Sequence, residues 1–130
     1  MGGGLTAAHR KGIIMEYYRG EIWWAKLGEI NDAVGSEKSG TRPVVIVSND
    51  LQNKGKTTLV TVVPMTSQVH KLYPYDVLVK QGESNLRKTG KICCDQIRTI
   101  DKERLTFFIG ALSAKKIVEL NETIKHVLGV

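Results

Sequence analysis

The segment around Arg42 has the residue types and spacing best suited to chemistry on an anionic substrate. A polar loop bounded by glycines, residues 35–40, runs into Arg42, and Pro43 and the continuous apolar run 44–47 follow it. A guanidinium held at the entrance of a strand can bind a phosphate through two parallel hydrogen bonds. On spacing alone, a surface arginine in an ordinary salt bridge is the stronger alternative. Arg42 is therefore a candidate phosphate-binding residue that needs support from the rest of the sequence.

The other residue types form no ready-made catalytic or metal-binding motif. His9, His70 and His126 have no His or Cys neighbour at ligand spacing, and no D-x-D, H-E-x-x-H or G-x-S-x-G pattern occurs. Cys93 and Cys94 are adjacent, so they cannot staple distant segments, and we expect reduced thiols packed as small apolar side chains in a cytosolic protein. We predict no metal and no cofactor, and we interpret each histidine as an ordinary surface group.

The net charge of the chain is compatible with an anionic partner. The 130 residues, the size of one ordinary domain, include 19 Lys or Arg and 13 Asp or Glu, a net charge of +6. Such a surplus favours nucleic acid as a partner, although it also serves simply to keep a small protein in solution. Residues 42–91 hold eight Lys or Arg and three Asp or Glu, so the surplus is concentrated there. No apolar run approaches the ~18 residues needed to cross a bilayer.

The elements that must position Arg42 are predicted to be mainly β-strands. From Gly20 onward, short apolar runs rich in Val, Ile, Trp and Tyr alternate with Gly, Asn, Asp and Lys clusters. This pattern is typical of a small, strongly twisted sheet or half-open barrel. We expect strands near residues 21–26, 42–48, 58–65, 75–80, 91–98 and 105–112. Trp23 and Trp24 are neighbours on the first of them, so one should face the core and the other the surface.

The last segment is predicted to be an amphipathic helix. Ser113 is a suitable N-cap, and Gly129 is suited to end the helix. Between them, apolar residues recur at helical spacing on one face: Ile117, Leu120, Ile124, Val127 and Leu128. Earlier in the chain, Asp101 is expected to cap a short turn over residues 102–104.

The remaining segments are predicted to be polar and non-repetitive. Residues 1–19 begin with three glycines and show no periodic pattern, so we expect a flexible extension followed by one domain over residues 20–130. Residues 28–41 and 49–57 are predicted to be long polar loops. Loops on a compact β scaffold are the usual place for binding groups.

Four blocks of sequence together carry a family resemblance. They are GEIWWA at 20–25, GSE at 35–37 with RPVVI at 42–46, PMTSQ at 64–68, and DQIRTIDK at 95–102 with Arg104 and Leu105. In this order and spacing they resemble the MazF/PemK family of toxin endoribonucleases. The resemblance covers essentially residues 19–130 and looks closer to the MazF-like ribonucleases of Gram-positive bacteria than to the plasmid Kid type.

The resemblance implies a fold, partners and a set of site residues. The implied fold is a compact SH3-like β-barrel shared with the gyrase poison CcdB, assembled as a homodimer. The implied partners are single-stranded messenger RNA, cleaved without a metal, and a cognate MazE-like antitoxin whose acidic, disordered tail covers the RNA groove. The family's essential arginine and threonine fall on Arg42 and Thr66. Ser36 and Glu37 lie in the family's active-site loop, while Asn49, Gln68 and Gln96 fall in blocks that line the RNA groove.

Metal-free cleavage of this kind can use the RNA's own 2′-hydroxyl as the nucleophile. The protein must then orient the ribose, stabilise charge on the phosphoryl oxygens and assist proton transfer. Arg42 suits the second task, and Thr66 could contact the phosphate or the 2′-hydroxyl. Glu37 is the only loop carboxylate close in sequence to Arg42, so it is a hypothetical proton acceptor; a loop contact or an antitoxin-facing charge is the alternative. The implied products are a 2′,3′-cyclic phosphate and a 5′-hydroxyl.

Two other functions remain open at this point. A CcdB-like gyrase inhibitor would keep the fold but would have no use for a phosphate-binding arginine and threonine. A non-catalytic SH3-like RNA-binding module would bind RNA and leave it intact. The prediction is a sequence-specific, metal-independent endoribonuclease of a type II toxin–antitoxin pair, acting in the cytoplasm.

Overall fold

The computed structural model describes residues 15–28 and 40–130, most of which form strands followed by a C-terminal helix. The elements in chain order are β1 (Glu21–Lys26), β2 (Thr41–Ile46), α1 (Asp50–Lys54), β3 (Leu59–Thr66), β4 (Asp76–Val79), β5 (Gly90–Cys93), β6 (Arg98–Asp101), β7 (Leu105–Ala111) and α2 (Ala114–Leu128). Short 3₁₀ turns span Glu83–Asn85, Cys94–Gln96 and Lys102–Arg104. The short helix α1 lies in a segment that the sequence pattern assigns to a polar loop.

The strands form one antiparallel sheet with the order β4-β5-β3-β2-β1-β7. The strand β6 lies off this path and pairs with β3. The long strand β3 therefore has two partners besides β2: its residues 59–62 pair with β6, and Met65 and Thr66 pair with β5. The predicted mainly β fold with a C-terminal helix is confirmed, as a twisted sheet that is not closed into a barrel.

The prediction of a single strand over residues 91–98 is wrong. The chain forms β5, turns through the 3₁₀ segment Cys94–Gln96, and continues as β6. Both strands run antiparallel to β3, but from the pair Met65–Ile92 to the pair Val62–Arg98 the chain advances six positions against three on β3, so the 3₁₀ segment takes up the extra residues. Cys94 is fully buried at this corner. The sequence pattern indicates that residues of this segment are buried, but it does not indicate a turn. It therefore predicts one uninterrupted strand over residues 91–98.

The core consists of two clusters that contain alternate residues of the same strands. Trp23 and Val44 belong to one cluster, and Ile22 and Val45 belong to the other, as expected from the two-residue period of a strand. The second cluster also includes Leu120 of α2. The expectation for the tryptophan pair is confirmed, because Trp23 is 1% exposed and Trp24 is 40% exposed.

The predicted caps of the C-terminal helix are confirmed. The Ser113 hydroxyl accepts a hydrogen bond from the amide of Lys116 (3.2 Å), and Gly129 ends α2 with a φ of 75°. The Lys116 ammonium donates to the carbonyl of Leu78 (2.6 Å), which joins α2 to β4. Asp101 caps the turn Lys102–Arg104, as predicted. Neither described helix has the length and apolar character that a membrane-spanning segment requires.

Residues 15–19 pack against the sheet, although the sequence pattern places them in the extension. Tyr17 is buried and its ring centroid lies 5.0 Å from that of Trp23. The Arg19 guanidinium donates to the carbonyl of Val47 (2.8 Å). The other residues of the predicted extension, 1–14, lie outside the described part of the chain.

Gly110 of β7 packs directly against the turn Glu83–Asn85. A Cβ atom on Gly110 would overlap the carbonyl oxygen of Ser84, so Gly110→Ala must displace backbone. Overpacking of this kind is expected to lower the free energy of unfolding by about 1–3 kcal/mol. Urea unfolding followed by tryptophan fluorescence measures this change. Ala111→Ser, at an exposed position of the same strand, should stay within about 0.5 kcal/mol of the wild type. Equal stability of both variants would contradict the close approach.

Candidate active site

A cavity of about 330 Å³ opens where the start of β2 meets the end of β3. The register of these two strands pairs Val44 with Pro64, and Arg42 and Thr66 each lie two residues beyond that pair towards the cavity. We call this the arginine cavity. It is lined by Arg42, Thr66, Gln68, His70, Lys71, Tyr73, Tyr75, Asp76, Lys91, Cys93, Asp95 and Gln96.

Four of the residues predicted for the site line this cavity: Arg42, Thr66, Gln68 and Gln96. Thr66 ends β3, and its hydroxyl accepts a hydrogen bond from the amide of Gln68 (3.2 Å). Gln96 is the last residue of the 3₁₀ turn between β5 and β6, so the corner that the sequence pattern misses is what brings Gln96 to the cavity. Residues from three distant segments thus converge on one concave surface.

The structure does not place Asn49 at the arginine cavity. Asn49 follows the far end of β2 and is the N-cap of α1, where its side-chain oxygen accepts from the amide of Gln52 (2.8 Å). Ser36 and Glu37 lie outside the described residues. Their roles in RNA binding and proton transfer stay predictions.

An ion pair that the sequence analysis does not predict lies in the wall of the cavity. The Lys91 ammonium lies 2.9 Å from a carboxylate oxygen of Asp76, whose side chain is only 1% exposed. The same ammonium donates to the carbonyl of Lys71 (2.8 Å). Burial lowers the pKa of Lys91, but the hydrogen bond and charge of Asp76 outweigh it and the net pKa is raised. Lys91 therefore stays protonated and ties β5 to the connection before β4.

A sequence signal for this pair does exist. Lys91 stands at the start of the run KICC, in a strand where all four residues are buried. A buried lysine requires an acidic partner. The partner Asp76 follows the aromatic segment Tyr73–Tyr75 and opens β4, so only the pairing of β4 with β5 reveals the contact.

The cysteines are buried thiols, as predicted. Burial raises the pKa of Cys93 to about 11 and that of Cys94 to about 12, and the positive charges of Lys91 and, less strongly, Arg42 only partly oppose this shift at Cys93. Neither thiol is therefore an effective nucleophile near neutral pH. Within the part of the chain that the structure describes, no three His, Cys, Asp or Glu side chains are grouped as metal ligands would be.

A second, larger concave surface adjoins the arginine cavity at Thr66. We call it the tryptophan hollow; its volume is about 690 Å³. Trp24 and Phe107 are cross-strand partners on β1 and β7, and both are partly exposed there. Arg87 and Lys88 also line the hollow and contribute positive charge. Because Thr66 lines both spaces, the two together form a surface that an extended, anionic chain could follow.

The comparisons with known proteins agree with each other. Residues 18–128 match the family described as the PemK-like, MazF-like toxin of type II toxin–antitoxin systems. The chain is 41% identical over 111 residues to Endoribonuclease MazF9 of Mycobacterium tuberculosis, covering 82% of this chain and 92% of the relative. It is 38% identical over 113 residues to Endoribonuclease MazF of Staphylococcus saprophyticus, covering 86% and 91%. A mycobacterial endoribonuclease solved in complex with its cognate antitoxin superimposes with a TM-score of 0.71 at 24% identity, over 88% of this chain and 96% of that one.

Proposed function

The chain belongs to the PemK-like, MazF-like family of type II toxins, and from this premise we propose that it is an endoribonuclease that cleaves single-stranded messenger RNA in the arginine cavity. The observation that carries the proposal is the convergence of Arg42 and Thr66 on that cavity. Two relatives that share 41% and 38% of their aligned residues with this chain are named endoribonucleases. Action on messenger RNA implies a cytoplasmic site of action.

The proposed reaction needs only groups of the RNA and of this chain. The 2′-oxygen attacks the adjacent phosphorus, the bond from phosphorus to the 5′-oxygen breaks, and the products carry a 2′,3′-cyclic phosphate and a 5′-hydroxyl. The proton leaves the 2′-hydroxyl for a base on the protein, and the departing 5′-oxygen takes up a proton from an acid on the protein. Arg42 stabilises the negative charge that develops on the phosphoryl oxygens. Thr66 holds the phosphate or the 2′-hydroxyl, a group that DNA lacks.

The surroundings of the cavity suit a single-stranded, anionic substrate. Gln68 and Gln96 offer side-chain amides that can donate to and accept from base edges. The exposed ring of Trp24 and the charges of Arg87 and Lys88 continue the surface beyond Thr66. We propose that a second copy of the chain completes this groove, and that the acidic tail of a cognate MazE-like antitoxin binds the same positive surface and blocks it.

Incubation of the purified protein with a long single-stranded RNA in EDTA tests the proposed function. We expect discrete cuts, each leaving a 5′-hydroxyl and a 2′,3′-cyclic phosphate, because the nucleophile comes from the substrate. Mapping the ends of the fragments measures both the position of each cut and its chemistry. A 5′-phosphate would contradict attack by the 2′-hydroxyl. Uncut RNA across diverse sequences would contradict the nuclease itself and favour a gyrase inhibitor or a non-catalytic RNA-binding module.

A further inference from the structure

Two tyrosine rings stand parallel to each other in the wall of the arginine cavity. Tyr73 and Tyr75 flank Pro74 in the connection between β3 and β4, and their ring centroids lie 5.2 Å apart with an interplanar angle of 4°. Both rings line the cavity that contains Arg42 and Thr66. Tyr73 remains 43% exposed. The pair therefore faces the space in which the substrate is proposed to lie.

The protein holds this pair in place through its backbone. The Asp76 carboxylate accepts from the amide of Tyr73 (2.9 Å), and the amide of Asp76 donates to the carbonyl of Tyr73 (2.9 Å). The carbonyl of Tyr75 accepts from the amide of Cys94 (3.0 Å), which ties the second tyrosine to the corner after β5. Both tyrosines are therefore fixed at the main chain before any ligand arrives.

The side chain of Tyr73 is also fixed by charge. The Lys91 ammonium lies 5.1 Å from the centroid of the Tyr73 ring, a cation–π contact, while it is paired with Asp76. Burial and, to a smaller extent, the charge of Asp95 raise the pKa of Tyr75. The two rings thus form a preorganised platform, and preorganisation lowers the entropy cost of binding a planar group.

We propose that Tyr73 and Tyr75 form a nucleobase-stacking subsite, which binds the base of a nucleotide next to the scissile phosphate. The inference rests on the proposed function, because Arg42 in the same cavity is what places the phosphate there. A nucleobase is the planar group that such an RNA carries beside every phosphate. Stacking on aromatic rings tolerates any base, so this subsite contributes affinity and positions the strand, while hydrogen-bonding groups elsewhere read the sequence.

Steady-state cleavage of an RNA with a mapped cut site tests the subsite. Tyr73→Ala and Tyr75→Ala are expected to raise KM about tenfold, the usual contribution of one stacked base, with kcat within about twofold of the wild type. Tyr73→Phe and Tyr75→Phe keep the rings and should match the wild type. Tyr73→Leu keeps an apolar side chain without the aromatic face and should behave like Tyr73→Ala, which separates stacking from a packing defect.

A fluorescence measurement reports on stacking itself. The probe is the same RNA with 2-aminopurine in place of the base on each side of the cut in turn, and with a 2′-deoxy nucleotide at the attacking position so that it stays intact. Wild-type protein should quench one of the two probes, and Tyr73→Ala should not. Unchanged KM and unchanged quenching in both alanine variants would overturn the inference while leaving the nuclease in place. Absence of cleavage by the wild type would overturn the proposed function instead.

Discussion

Arg42→Ala is expected to lower kcat for RNA cleavage about 100-fold or more, because it removes the group that stabilises negative charge on the phosphoryl oxygens. Arg42, near the start of β2, and Thr66, at the end of β3, both line the arginine cavity. A preorganised donor of this kind acts mainly on the transition state, so kcat should fall more than KM rises. Single-turnover cleavage of an RNA with a mapped cut site measures the effect without interference from product release.

Two further variants separate the phosphate contact from the loss of a positive charge. Arg42→Lys keeps the charge but not the planar pair of donors, so it should recover only a small part of the activity. Arg104→Ala removes one arginine whose guanidinium instead donates to the carbonyl of Lys26 (2.9 Å) and which lines neither the arginine cavity nor the tryptophan hollow. It should cleave at nearly the wild-type rate. Equal losses in Arg42→Ala and Arg104→Ala would mean that net charge, and not the site, determines the rate.

The features that the sequence predicts well are those encoded over a few neighbouring residues. The bounds of α2 follow from its caps, Ser113 before the helix and Gly129 after it, because a hydroxyl N-cap and a left-handed glycine each act within one turn. The opposite exposure of Trp23 and Trp24 follows from the alternation of side chains along one strand. The strand expected near residues 21–26 is β1. Each of these inferences needs no knowledge of what lies elsewhere in the fold.

The features that the sequence predicts poorly depend on contacts between distant segments. The turn at Cys94 lies where the partner of β3 changes from β5 to β6. The sequence pattern indicates which residues are buried, and it would be the same with or without this turn. The pairing of Asp76 with Lys91 spans fifteen residues and needs β4 to lie beside β5. Residue types and spacing alone favour a surface role for Arg42. The family resemblance is what indicates that Arg42 and Thr66 belong to one site. The pairing of β2 with β3 is the physical reason that the two residues line the same cavity.

His70 shows how the same limit affects the choice of catalytic groups. In the sequence, His70 has no second His or Cys at metal-ligand spacing, so it is interpreted as an ordinary surface group. In the structure it is exposed and lines the arginine cavity with Arg42 and Thr66. The connection from β3 to β4, which carries His70, has no periodic pattern from which its course could be predicted. The position of His70 therefore makes it a second candidate for the proton acceptor, besides Glu37, which the sequence analysis proposes.

Glu37→Gln is expected to lower kcat about 100-fold, the lower end of what a general base contributes. Glutamine keeps the size of the side chain but cannot accept the proton of the 2′-hydroxyl. The rate should also lose its rise on the acidic side of the pH profile, because that rise reports deprotonation of the base. Single-turnover rates measured across a pH series, with Glu37→Asp as the conservative variant, test this expectation. Partial activity in Glu37→Asp would show that a carboxylate is needed at this place in the loop.

His70→Gln decides between the two residues that can accept the proton. If Glu37 is the base, His70→Gln should change kcat by less than about tenfold and leave the acidic limb of the pH profile in place. The opposite result, a loss of about 100-fold in His70→Gln with near wild-type cleavage by Glu37→Gln, would assign the base to the imidazole in the cavity wall. Glu37 would then be left with the loop or antitoxin contact that its charge allows. In either case the base is identified by the pH profile and not by the size of the decrease in kcat alone. Only the variant that removes the titrating group should lose the rise of the rate on the acidic side of the profile.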